Sequence, residues 1–333
     1  MTPRTEHQTN PRSAPPAPDA QPRGGASAPR HVVVACPLCG ADDYHVRLED
    51  RYGDRALDPQ VHYTSTSSAF GQHGRIVECR SCGMVYMNPR PHHQKVQERY
   101  SDVRDERYLE EEQGRVETFT ESLHVVARFA PGRRLLDVGC HVGTFLEIAE
   151  RGGFDVAGVE PSRWAADVAR SRIRGGVHCG AVEDAPLPEG GYDVVTMWDV
   201  VEHLPDPALD LRAVYHALRP GGVFALSTMD VDALFPRVAG SRWPWYMQMH
   251  LVYFSRRTLA EMLRREGFHI VDTRAHVRRV RLSYLASRLD AYVPPLARLA
   301  GGALRRTGLA RRTVGVNLGD IFTIVARRPE RTP

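Results

Sequence analysis

The stretch that most narrows the possible folds is LLDVGCHVGTF, Leu135 to Phe145. A short apolar strand runs into a glycine-containing turn and then opens the helical run FLEIAERGG. That is the layout of the first strand-to-helix crossover of a doubly wound sheet, where a ligand meets backbone N–H groups. The residues of the turn restrict the ligand. A dinucleotide fingerprint needs G-x-G-x-x-G so that backbone can approach a pyrophosphate; here Gly139 and Gly143 are present, but His141 stands between them and Asp137 precedes them. A pyrophosphate would meet a ring and a negative charge. A ligand carrying an ammonium and a sulfonium would instead be attracted to Asp137.

The chain beyond the turn alternates as a βα repeat should. DVAGVEP reads as a second strand ending in Glu160, WAADVARSR as a helix, GVHCGAV as a third strand and YDVVTMWDV as a fourth. DLRAVYHALRPGG is a helix, VFALSTM a fifth strand, and HIVDTRAH and DIFTIVARR close the sheet. Successive parallel strands end on one edge, so Asp137, Glu160, Glu183 or Asp184, and Asp199 should face one crevice. Glu160 stands where an acid accepts hydrogen bonds from a ribose diol.

These motifs resemble the class I S-adenosylmethionine (SAM) dependent methyltransferases, whose first motif runs acid-x-Gly-x-Gly-x-Gly; His141 replaces the middle Gly, and His tolerates positive φ. The resemblance covers roughly residues 92 to 328. It implies an α/β, Rossmann-like seven-stranded sheet, mostly parallel with the last strand antiparallel, and SAM as cofactor. Asp137, Gly139, His141, Gly143 and Glu160 would then hold the cofactor. An acid after the third strand often meets the adenine amino group in this family; its usual place is Ala181 here, so backbone at Ala181 and Val182, or Glu183 or Asp184, would take that role. Helices before the first strand serve as a lid in relatives, which makes Tyr108 a cofactor contact, with Tyr100 and Arg115 as further candidates. A plain connector is the alternative.

WDVVEHLPDP, Trp198 to Pro207, matches the signature after the fourth strand in the branch that includes ubiquinone-biosynthesis O-methyltransferases and many sugar-modifying enzymes, and adds Trp198 to the cofactor contacts. His203 is a candidate general base, because a neutral imidazole takes a proton near pH 7. Asp199, Glu202 and His203 could alternatively gather a divalent cation, as the acid-x-x-Glu-His pattern does in some quinone O-methyltransferases, or form a hydrogen-bond network without a chemical role. The aromatic and Met-rich SRWPWYMQMHLVYFS reads as an acceptor wall or as core packing, with His250 as a second base candidate.

Ahead of this domain lie two C-x-x-C pairs, each followed by Gly: Cys36 and Cys39, then Cys79 and Cys82. Two such knuckles present four thiolates to one ion, a closed structural site. Structural zinc is the expected occupant; iron in a rubredoxin-like site and disulfides are the alternatives. Cys140 and Cys179 read as buried or turn thiols. The expected organisation is therefore a disordered Pro/Ala/Gly/Arg-rich tail over 1–30, a zinc ribbon over 31–90, a helical linker or lid over 91–131, and the methyltransferase domain over 132–329. The last carries a basic amphipathic insertion at about 281–313, which suits helix packing, dimerisation, or contact with a membrane or a lipid-linked acceptor.

With 333 residues, 42% of them apolar, and a formal charge of +4, the chain is globular and the charge alone names no partner. Without a run of about 18 apolar residues or a signal-type apolar region, the reading is cytoplasmic. A four-Cys ribbon on such a domain resembles sugar C-methyltransferases, so the expected acceptor is a small molecule, a saccharide, glycan or secondary metabolite methylated at a hydroxyl or carbon, with no nucleic acid partner. An RNA methyltransferase using the ribbon as its reader, and a non-catalytic adaptor on a SAM fold, are the alternatives.

Overall fold

The computed structural model describes residues 31–53, 58–67, 69–110, 112–289 and 294–330; the tail over 1–30 lies outside the described residues. The first part of the chain is small and antiparallel. It contains β1 (His31–Val32), β2 (Tyr44–Leu48), α1 (Pro59–His62), β3 (Ile76–Cys79), β4 (Val85–Met87) and β5 (Arg90–Pro91). β2, β3 and β4 form a meander and β1 pairs with β5. Gly40 and Gly83, the residues after the two C-x-x-C pairs, have φ of 75° and 72°, a region that costs glycine nothing and lets each chain reverse tightly around its cysteines.

Three helices follow, α2 (His93–Ser101), α3 (Arg107–Glu110) and α4 (Glu112–Ala127). The chain then alternates through β6 (Arg134–Val138), α5 (Thr144–Arg151), β7 (Asp155–Glu160), α6 (Arg163–Arg172), β8 (Val177–Cys179), β9 (Tyr192–Trp198), α7 (Pro207–Ala217) and β10 (Leu218–Met229). After these come α8 (Leu234–Ala239), β11 (Val252–Tyr253), α9 (Arg256–Arg265) and β12 (His269–Ala275). The chain closes with β13 (Arg278–Arg281), α10 (Leu282–Leu289), α11 (Pro294–Arg306), β14 (Thr313–Val316) and β15 (Ile321–Arg327).

Seven of these strands form one sheet in the order β12-β15-β10-β9-β6-β7-β8. β6 through β10 are mutually parallel, and β15 runs antiparallel to both β10 and β12. Leu135, Leu136, Val194, Val195 and Phe224 are almost fully buried, as strands covered by helices on both faces require. The helices start where the sequence supplies caps: the Ser162 hydroxyl accepts from Ala165 N, and Asp206 accepts from Leu209 N with Pro207 in the first turn. Strand order reverses between β6 and β9, so a crevice opens beyond their C-terminal ends.

The ribbon region does not stop at its own edge. β11, from the middle of the methyltransferase-like part, adds to the meander to give a four-stranded sheet in the order β11-β4-β3-β2. Cys36, Cys79, Met84 and Tyr86 share one apolar cluster with Leu136, Phe224 and Phe254. The insertion near 281–313 forms a hairpin, β13 with β14, carrying α10 and α11. Among the described residues no helix is long and apolar enough to cross a membrane.

In the wall of the crevice, Asp320 Oδ2 accepts from both Trp243 Nε1 at 2.8 Å and Trp245 Nε1 at 3.1 Å. Asp320→Ala leaves two indole donors without that acceptor, and Trp243 is fully buried. The expected cost is about 2–3 kcal/mol, read as a lower Tm and a lower urea midpoint at unchanged m-value.

Candidate functional site

A cavity of about 670 Å³ lies over the switch point, within the range of small-molecule sites. Its floor is the turn after β6. Gly139 has φ 71° and a Cβ there would meet Val200 Cγ2 at 2.5 Å, so the turn needs glycine both for its backbone conformation and for its close packing on Val200. His141 has φ 48°. Its backbone N–H donates to Glu160 Oε2 at 2.9 Å, and Ser162 N–H donates to Glu160 Oε1 at 2.8 Å. One carboxylate thereby ties the first crossover to the second.

Asp137 and Glu160 are both buried. Burial raises Asp137 to about 8 against the 2.6 Å hydrogen bond from Thr196 Oγ1, and raises Glu160 to about 7 against its two backbone donors. Two poorly solvated carboxylates suit a ligand that brings positive charge and hydroxyl donors. The His141 ring is driven to about 3 by burial, with Arg115 and Arg172 adding to it; it is a neutral ring packed against Tyr108 at 3.9 Å between centroids, the two planes tilted by 42°. Arg115 caps the other contact of Tyr108, 3.6 Å from its ring centre. The helical segment before β6 therefore closes over the glycine turn.

Farther along the sheet edge, Glu183 accepts from His93 Nε2 at 3.0 Å and Gln97 Nε2 at 3.2 Å, both on α2. Against its burial, His93 and Asp210 hold Glu183 down at about 2, while burial and the shared hydrogen bond push Asp210 up to about 9, so Asp210 carries the proton. Glu183, Ala181 and Val182 line the cavity. Asp184, named beside Glu183 from the sequence, is exposed and lies outside the lining. Trp198 is buried against Phe145 and stacks on His276.

The other half of the cavity holds His203 and His250, with ring centroids 4.8 Å apart. A backbone carbonyl can only accept, so each ring is a donor at Nδ1: His203 to Met249 O at 3.0 Å and His250 to Trp245 O at 2.7 Å. Nε2 is left as the acceptor nitrogen on both. Burial lowers His203 to about 4 and His250 well below the usual range; both imidazoles are neutral at pH 7. Tyr100 OH lies 2.9 Å from His203 Nδ1.

Asp199, Glu202 and His203 do not form the cation group that their spacing suggests. Asp199 (φ 55°) is paired with Arg278 at 2.6 Å and accepts from Ser227 at 2.9 Å, and against the cost of burial Arg278 holds it below the usual carboxylate range. His250 takes its place: ligand atoms of Glu202, His203 and His250 lie within 4.8 Å of one another. Glu202 accepts from Thr228 Oγ1 at 2.9 Å and is raised to about 8 by burial and the Asp199 charge. Sequence reasoning missed Arg278, His276, Tyr63 and Phe70, all of which line the cavity; no local motif marks them.

The four cysteines also converge. Cys36 Sγ is 3.4 Å from Cys82 Sγ, and Cys39 Sγ is 3.6 Å from Cys79 Sγ. A tetrahedral ion with metal–sulfur bonds near 2.3 Å sets its sulfurs about 3.8 Å apart, so the donor set fits one closed four-thiolate centre. Backbone N–H groups of Leu38 and Cys39 face Cys36 sulfur, and those of Ser81 and Cys82 face Cys79 sulfur, the support that thiolates need. All six cysteines are free rather than disulfide-bonded.

Residues 108–273 match the family model described as a methyltransferase domain. Over residues 108–273 the chain therefore carries a methyltransferase domain. Among curated proteins it is similar to the ubiquinone biosynthesis O-methyltransferase of Xanthomonas campestris pv. campestris (strain B100), 37% identical over 114 residues, which are 32% of this chain and 48% of that protein. The namesake of Aeromonas salmonicida (strain A449) is 38% identical over 30% of this chain and 44% of its own length. The chain thus spans about half the length of the curated relatives it matches. A solved SAM-dependent methyltransferase from Thermotoga maritima aligns with a TM-score of 0.45 at 18% identity, over 68% of this chain and 94% of that one.

The raised carboxylates give a direct test of the SAM half. Below about pH 7 Asp137 and Glu160 hold protons that a cationic, diol-bearing ligand would displace. SAM affinity is expected to rise about tenfold between pH 6 and pH 8.5, with proton release read from the buffer dependence of the calorimetric enthalpy. Without ligand the sign reverses: a carboxyl raised in the folded state favours folding at low pH and opposes it as pH climbs toward 8. Asp137→Asn should therefore raise the Tm at pH 8 by removing that opposition, while SAM binding is lost.

Proposed function

We propose that the protein transfers the methyl group of SAM to a hydroxyl of an uncharged small molecule bearing an apolar or aromatic ring, such as a secondary metabolite. The observation that carries the reading is the pair of neutral imidazoles, His203 and His250, lining the same cavity as the Asp137–Glu160 turn. Bound SAM would supply an electrophilic methyl carbon. Asp137 would face its cationic end, Glu160 its ribose diol, and Glu183 with backbone at Ala181 and Val182 its adenine, while Tyr108 and His141 shut water out over the turn. Gly139, Gly143 and Trp198 would shape the pocket around it.

Methyl transfer is a displacement at carbon, so the chain chiefly has to place acceptor and sulfonium in reach of one another. A hydroxyl acceptor also gains from a base that takes its proton as the new bond forms. Nε2 of His203 is that base in this reading, and Nε2 of His250 the neighbour able to hold the acceptor or share the proton. The ring preference follows from the acceptor-side wall, which is built from Tyr63, Phe70, Phe235, Trp245 and Met249. A saccharide would ask for more hydrogen-bonding side chains than these provide. The name of the curated relatives, O-methyltransferases, supports a hydroxyl as the acceptor. Zinc is the proposed occupant of the four-thiolate centre, which leaves no open position for chemistry.

Calorimetric titration with SAM and S-adenosylhomocysteine (SAH) tests the first half: micromolar binding of both is expected, lost in Glu160→Ala. No binding at any accessible concentration sinks the reading. With an acceptor found by screening hydroxylated aromatic compounds, His203→Ala is expected to lower kcat by about 10²–10⁴ at unchanged SAH affinity. An unaltered kcat would remove His203 from the role.

A further inference from the structure

The two histidines share one support. The carbonyls that orient them, Trp245 O for His250 and Met249 O for His203, belong to a single short segment, 245–251. That segment is held at both ends by the cysteine-bearing region. Gly71 N–H donates to Tyr246 O at 3.0 Å, and Met87 N–H donates to Leu251 O at 2.9 Å. Leu251 N–H in turn donates to Glu202 O at 2.8 Å, reaching the residue next to His203. Directly after it, Val252 and Tyr253 pair with Tyr86 and Val85 as an edge strand of the ribbon sheet.

The ribbon strand that makes these bonds begins at the second cysteine knuckle. Cys79 N–H donates to Met84 O at 2.9 Å, so the knuckle fixes where β4 starts. Both knuckles are clasped from α9: Arg257 Nη2 donates to Cys82 O at 2.9 Å and Arg265 Nη1 to Leu38 O at 2.6 Å. The segment between the cysteine pairs completes the acceptor wall. Tyr63 OH accepts from Arg99 at 2.8 Å and its ring meets Tyr100 edge-on at 5.1 Å, beside the Tyr100 contact to His203. Thr66 binds both oxygens of Asp105, at 2.9 and 2.6 Å, which anchors this segment to the connection between α2 and α3.

We propose that metal held by Cys36, Cys39, Cys79 and Cys82 positions His203 and His250 through segment 245–251, so that loading the ribbon assembles the acceptor half of the site and leaves the SAM half unchanged. The proposal rests on the reading of these histidines as the proton-accepting pair. In this arrangement Arg257 and Arg265 are positioning residues. The Asp137–Glu160 turn takes its bonds from Thr196, Ser162 and its own backbone, none of which belongs to the ribbon.

The test compares metal-free, reduced protein with the same protein reloaded with one equivalent of cadmium(II), a diamagnetic ion that prefers thiolates. The imidazole ¹⁵N resonances of His203 and His250, assigned with His203→Gln and His250→Gln, report the acceptor half, and calorimetry with SAH reports the SAM half. Loading is expected to move both imidazole resonances, with the SAH dissociation constant unchanged within about threefold. Identical imidazole resonances in the two forms overturn the proposal. So does loss of SAH binding in the metal-free form, because the metal would then support the whole fold and not one half. Failure of SAH to bind the cadmium-loaded protein is a different result and strikes the SAM reading itself. The double variant Arg257→Met, Arg265→Met keeps every thiol and removes both clasps. It is expected to bind cadmium and SAH normally with the His250 resonance displaced, and an undisplaced resonance there counts against the proposal equally.

Discussion

The carboxylate of Glu160 is the contact on which the cofactor side of the structure depends. Its two oxygens take the backbone N–H groups of His141 and Ser162, and so join the turns after β6 and β7 into one rigid floor. A carboxylate buried this far costs free energy unless charge or donors compensate it. Here the backbone donors lower that cost without cancelling it, as its raised pKa of about 7 shows. What remains is an incentive for a ligand that brings hydroxyls and positive charge. Asp137 extends the same device toward the centre of the sheet.

The acceptor side is built on a different principle. Its histidines are neutral because burial disfavours the imidazolium, and oriented because carbonyls of one segment take their Nδ1 protons. A strong charge pair nearby, Asp199 with Arg278, is internally satisfied. The cavity therefore changes character along its length, from buried carboxylates at the turn to neutral rings and aromatic walls at the far end. A charged cofactor and an uncharged acceptor fit such a division.

Much of the fold was legible in the sequence because its signals are local. The apolar runs of β6, β9 and β10, the Gly-rich turn and the caps at Ser162 and Asp206 each lie within a few residues of the element they specify. The C-x-x-C knuckles are local as well, since Gly40 and Gly83 permit the reversals around them. Neighbouring acids were harder. Glu183 and Asp184 are chemically alike, and the choice between them was made by His93 and Gln97 reaching across from α2. The grouping of Asp199 with Glu202 and His203 failed for the same kind of reason, because Arg278 arrives from β13 to claim Asp199.

By itself the sequence determined a doubly wound sheet, a glycine turn whose Asp137 and His141 depart from the dinucleotide fingerprint, and two cysteine knuckles able to share an ion. Periodicity, turn chemistry and short motif spacing carry that information. Tertiary structure alone decided that His250 stands beside His203, that Tyr63 and Phe70 line the same cavity, and that β11 continues the ribbon sheet. Those outcomes depend on which edges and apolar faces are left uncovered once the sheet has formed. Such contacts join segments far apart in the chain, and nothing in either segment alone records its partner.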